Sequence, residues 1–70
     1  MKLKKELKLK KRMKEMGISV AELSRLSGIR LNTLYRRLRG ESNFKAEEIL
    51  RISSALDFGE NEILKIFFNV

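Results

Sequence analysis

Cysteine, histidine, tryptophan and proline are all missing from this 70-residue chain, and glycine occurs only four times. Without cysteine there is no disulfide framework, and without both cysteine and histidine the usual ligands of a structural zinc site are gone. The same gaps remove the commonest nucleophile and general base. No phosphate-cradling glycine loop replaces them, so an enzyme is not expected. No apolar run reaches the length of an export signal or a membrane span, which predicts a cytoplasmic protein without a membrane partner. No cofactor, metal or small-molecule substrate is expected either. One domain, residues 1–70, is what this length allows, and such a domain buries roughly 60% of the surface its unfolded chain exposes. Its core is small, and with disulfides and metals excluded, association with a second copy is the remaining reinforcement.

What the chain has in quantity is positive charge. Sixteen Lys and Arg against nine Asp and Glu give a net +7, a balance suited to a polyanionic partner such as nucleic acid or an acidic membrane face. The excess is uneven. Lys2, Lys4, Lys5, Lys8, Lys10, Lys11, Arg12 and Lys14 crowd the start, and Arg30, Arg36, Arg37 and Arg39 form a second cluster. The acids Glu41, Glu47, Glu48, Asp57, Glu60 and Glu62 gather after residue 40. The opening lysine run reads equally as a basic arm, residues 1–5 above all, and as a solvated helix face.

Strand-type alternation is absent, and the glycines at 17, 28, 40 and 59 separate stretches with helical apolar spacing, which predicts an all-α bundle of about five short helices. Leu9, Met13 and Met16 give the first a stripe, closed by Gly17 at a C-cap position. Ser19 with Glu22 forms the pattern of a capping box, starting helix 2 at Val20. Leu23 and Leu26 are its stripe, and Ser27-Gly28 ends it, so helix 2 spans about 20–27. Ile29 continues the buried line. Leu31, Leu34 and Leu38 then define helix 3 over about 31–39. Ile49, Ile52 and Leu56 mark helix 4, with Glu47 and Glu48 near its positive N-terminal end. Ile63, Leu64, Ile66 and Phe67 mark helix 5, followed by Phe68 and Val70.

Helices 2 and 3, joined through a Gly-centred turn with small Ser24 in the first and an Arg-rich polar face on the second, have the spacing of a helix-turn-helix. Such a second helix enters a DNA major groove about 12 Å wide. There Asn32 suits adenine and Arg36 suits guanine, each in a bidentate way, while Thr33 and Tyr35 suit phosphate, sugar or thymine methyl contacts. The plainer reading of Asn32 and Arg36 is an ordinary polar surface. Tyr35 serves equally by packing its ring on helix 2.

Gly17-Ile18-Ser19, Ala21-Glu22-Leu23-Ser24, Gly28-Ile29, Thr33-Leu34 and Gly40 resemble the Cro and repressor family of helix-turn-helix regulators. The run Thr33-Leu34-Tyr35-Arg36-Arg37-Leu38-Arg39-Gly40, with Phe44, Glu48-Ile49 and Ile66-Phe67-Phe68, is similar to small regulators of Gram-positive temperate phages and mobile elements. That resemblance implies five helices, a double-stranded DNA operator as partner and, commonly, a dimer on a palindromic site. It carries base reading onto Arg30, Leu31, Asn32 and Arg36, to which Thr33 is added on its chemistry. It carries phosphate contacts near Val20 and Arg39; Ser19, Tyr35, Arg37, Lys10 and Lys14 complete that set. Three departures from the family pattern stand out. Val20 stands where a phosphate-bonding Gln is frequent. Arg37 takes a position that is usually apolar and Leu38 one that is often polar, which leaves Arg37 either facing phosphate or as a buried stem. Arg30 and Lys45 stand where Ser, Thr or Asp would cap helices 3 and 4, a loss of about 1 kcal/mol each.

Phe67, Phe68 and Val70 divide between core and a homodimer interface, with Phe67 expected mainly in the core and Phe68 mainly at the interface. The rival reading is a protein-interaction module on the same fold, of antitoxin or anti-repressor type, whose main partner is a protein.

Overall fold

The computed structural model describes residues 3–68, with side chains from residue 6 onward. Within that span the chain folds as α1 (Leu3–Met16), α2 (Val20–Ser27), α3 (Leu31–Leu38), α4 (Ala46–Ala55) and α5 (Glu60–Phe67). No strand occurs among the described residues.

Local signals set most of the boundaries. At the end of α1, Gly17 adopts φ +70°, and the Ile18 amide donates to Met13 O at 3.0 Å while the Gly17 amide donates to Lys14 O at 3.1 Å. This reversal needs a left-handed residue, which glycine supplies without steric cost. Ser19 then caps α2, its hydroxyl accepting from the Glu22 amide at 3.1 Å. The expected return contact is not made: the Glu22 carboxylate lies 3.7 Å from Arg25 instead. α3 and α4 begin at Arg30 and Lys45, neither of which supplies a side-chain cap. For α4 the Glu48 carboxylate compensates by accepting from the Lys45 amide at 2.9 Å. α3 ends one residue earlier than expected, with Arg39 as its cap.

One core joins all five helices. Leu9 and Met13 of α1, Leu23 of α2, Ile29 of the turn, Leu34 and Leu38 of α3, Phe44, and Ile52 and Leu56 at α4 are buried. Phe67 closes it from α5, its ring edge-on to Phe44 at 5.6 Å and 87°. α2 packs on α3 and α4, while α1 packs on α3 and α5. Four stripe residues predicted from spacing lie outside this core: Met16, Leu26, Leu31 and Leu64 are 41%, 49%, 39% and 44% exposed. The first three each sit at one end of a short stripe, where a neighbouring helix covers only the centre. In α1 the burial shifts toward the N-terminus instead, and the side chain taken in is the carboxylate of Glu6, 5% exposed, against Gly40.

Candidate nucleic-acid interface

α3 has two chemically distinct faces. Leu34, Arg37 and Leu38, at i, i+3 and i+4, point inward. Arg30, Leu31, Asn32, Tyr35 and Arg36 are exposed, with Thr33 half-buried between the faces. The outward set therefore holds five of the residues singled out in the sequence, brought onto one accessible surface. Arg30 and Arg36 have no ion-pair partner among the described residues, so their charges stand open to solvent.

The turn that sets α3 against α2 is held by polar contacts as well as by size. The Ser24 hydroxyl donates to the carbonyl of Ile29, and the Ile29 amide donates to Ser27 Oγ at 3.3 Å. Gly28, at φ +75°, reverses the chain, its amide donating to Ser24 O at 2.9 Å. Ser24 thus serves through its hydroxyl, a role its small size alone does not reveal. Arg51 of α4 reaches the same turn, a guanidinium nitrogen lying 3.8 Å from where a Gly28 side chain would start. Nothing in the spacing of helix 4 singles Arg51 out, because the approach is made between elements distant in sequence.

Arg37 requires a correction. It belongs to the expected phosphate contacts, yet it is 9% exposed and points into the α3–α4 junction. Its Nε donates to Glu48 Oε1 at 2.8 Å, its Nη2 to Glu48 Oε2 at 3.2 Å, and its Nη1 to Ser42 Oγ at 2.6 Å. This is a fork-on-fork pair, the geometry in which Arg and a carboxylate bind most strongly. The Arg37 hydrogen bonds hold the Glu48 carboxyl below its ordinary range, against the opposing effect of burial, with the Lys45 amide adding to the lowering. The Glu48 hydrogen bonds correspondingly raise Arg37. The guanidinium is a strut between helices, and its burial keeps it from the surface that a duplex would meet.

The other expected phosphate contacts are accessible. Tyr35 is 42% exposed, and Lys10 and Lys14 are exposed and unpaired among the described residues. Arg39 is paired to Glu41 at 2.7 Å, but both side chains are more than half exposed, so the pair is weak and can open. The Ser19 hydroxyl accepts at the start of α2 and keeps its proton free to donate. Val20 is half-buried against the core and offers no polar atom. Of the expected interface residues, Phe67 packs on Phe44 while Phe68 is 56% exposed, with Leu64 one turn earlier at 44%. Val70, Lys2 and the side chains of Lys4 and Lys5 lie outside the described residues.

The model of the Cro/C1-type HTH DNA-binding domain matches residues 8–69. The chain belongs to this family. No curated protein and no solved structure matches it. Membership of the Cro/C1-type family makes the domain a DNA-binding one. Among its described residues no helix is long and apolar enough to cross a membrane, and no group of acidic side chains could hold a metal ion.

Proposed function

We propose that this Cro/C1-type domain is a sequence-specific transcription regulator that inserts α3 into the major groove of an operator. Arg30, Leu31, Asn32, Thr33 and Arg36 read base edges. Ser19, Tyr35, Arg39, Lys10 and Lys14 contact phosphate. The observation that carries this reading is the outward face of α3, which presents an amide, two unpaired guanidiniums and a phenol on a helix whose other face is tied into the core.

The proposal includes a homodimer on a two-fold symmetric site. One eight-residue helix spans few base pairs, whereas two related by a dyad read half-sites about 34 Å apart. The exposed Leu64 of α5 and Phe68, which caps that helix one turn later, supply an apolar surface for the contact. Selection of bound oligonucleotides from a random pool tests both statements together. A recovered motif with inverted-repeat symmetry supports them. Recovery of no preferred sequence overturns the reading of α3, and a preferred but asymmetric motif bound by one copy overturns the dimer.

A further inference from the structure

We infer that the groove between α1 and α5 is a second binding site, which takes an acidic amphipathic helical segment of a partner protein while α3 holds DNA. The groove has a volume of about 340 Å³ and is open to solvent. Phe58 and Ile66 line it, with Lys8 and Lys11 on the α1 wall and Lys65 on the α5 wall. None of these three lysines has an ion-pair partner among the described residues.

Its central cation is held in advance. Arg12 Nε donates to Leu56 O at 2.9 Å and Nη2 to Asp57 O at 3.4 Å, and the guanidinium stands 5.7 Å from the centre of the Phe58 ring. Two carboxylates also border the groove, Glu15 at 3.8 Å from Arg12 and Glu62 accepting from the Gly59 amide at 3.0 Å, but the cations Lys8, Lys11, Arg12 and Lys65 outnumber them. The charge left to attract a partner is therefore positive.

Position separates this site from the DNA surface. Around α1, Glu6 reaches Gly40 at the end of α3, while Arg12 reaches the α4–α5 link. Lys10 and Lys14 lie about 160° around the helix from Arg12, at about 100° per residue. α1 thus carries one basic flank beside the α3 end and another, on its far side, at the α5 groove, so that on the proposed reading a duplex held by α3 leaves the groove open. An open groove of this size leaves most of a compact small molecule in water, contrary to what tight small-molecule sites do. A helix laid along it instead places an apolar side chain on Phe58 and Ile66 and carboxylates beside the lysines of both walls, the helix-in-groove mode of recognition.

The test uses a fluorescent synthetic helical peptide with Leu at i, i+4 and Glu on either side, a scrambled peptide of the same composition, and the full chain. Anisotropy titrations are run with and without a saturating duplex. The amphipathic peptide should bind at least about tenfold more tightly than the scrambled one and should remain bound when the duplex is added. The double variant Lys8→Gln and Lys65→Gln, checked for helicity, should weaken peptide binding about tenfold and duplex binding by less than about threefold. Equal binding of the two peptides, displacement of the peptide by duplex, or unchanged peptide affinity in the folded variant each overturns the inference. Failure of the unmodified chain to bind duplex, with the peptide still bound selectively, would count against the reading of α3 and leave this site standing.

Discussion

Removing Arg37 should do more damage to the fold than to DNA recognition. In Arg37→Ala the Glu48 carboxylate, whose side chain is 14% exposed, keeps only the Lys45 amide, and Ser42 loses its donor. Breaking one side of a buried pair costs about 3–5 kcal/mol, because the remaining charge is left desolvated. A domain of this length has about 4–10 kcal/mol in total. The single variant should therefore melt at least about 12 °C below the parent, or fail to fold at 25 °C. Arg37→Met with Glu48→Leu removes both charges together and should recover most of the loss, since an apolar pair of similar volume is often neutral or better. Chemical denaturation followed by circular dichroism gives the three free energies to be compared. The double variant also decides the role in binding. If Arg37 touched phosphate, its loss would reduce the log-log salt slope of binding by about 0.9. An unchanged slope is expected. A stable, folded Arg37→Ala, costing less than about 1 kcal/mol and binding DNA with a lower slope, would refute the reasoning. The pair also sets a pH dependence. Because the folded Glu48 lies below its unfolded value of 4.5, its contribution is complete above that pH and is lost as pH falls through the folded value. The double variant should accordingly lose less stability on acidification than the parent.

Asn32→Ala and Arg36→Ala should each weaken operator binding by about 1–3 kcal/mol, with a smaller change on random duplex; electrophoretic titration against both DNAs checks this, and equal affinity for the operator would remove α3 as the reader. Phe68→Glu should give a folded monomer, seen as a halved mass in sedimentation equilibrium and as loss of the preference for a full palindrome over a half-site. A parent that is monomeric at high concentration and on its operator would count against that interface. Asp57, the one non-glycine residue among those described at positive φ, sits at +57° just past α4; its backbone carbonyl accepts from Arg12, and its carboxylate makes no ion pair among the described residues that glycine would lose. Asp57→Gly should raise stability by about 0.5–1 kcal/mol, the strain removed less the added freedom of the unfolded chain, and a drop in the denaturation midpoint would contradict it.

The helix boundaries are legible in the sequence because their causes are local. Ser19, Gly17 and Gly28 act within five residues of themselves, and a capping or reversing residue says the same thing in any context. The exposed face of α3 is legible for a related reason: Asn32 and Arg36 lie between apolar residues at helical spacing. What escapes is whatever a distant element decides. Met16 and Leu26 continue good stripes, yet no helix covers them. Glu6 looks like one more charge in a lysine-rich run, but its Oε1 is buried without a hydrogen-bond partner beside Gly40. Arg37 fits a basic cluster aimed at phosphate until Glu48, eleven residues on, takes its fork. Spacing reports which residues share a face; it does not report which partner that face meets.

The choice of Arg37 over an apolar side chain at the α3–α4 junction bears on recognition as well as on stability. An apolar contact at that position would hold α3 to α4 while leaving the helix some freedom to turn about its axis, since dispersion has little directional preference. A guanidinium bound through both sides of its fork to Glu48, with Ser42 on the third nitrogen, admits one orientation. Arg36, next to it in sequence, is then carried outward in a set direction, and Asn32 lies one turn earlier on the same face. Base reading demands this, because a bidentate contact discriminates only when both hydrogen bonds are aligned. Glu48 is in turn fixed by the Lys45 amide at the start of α4. On the proposed reading, the ion pair contributes to specificity by fixing the rotation of the reading helix, and its net effect on folding stability can be close to zero without making it dispensable.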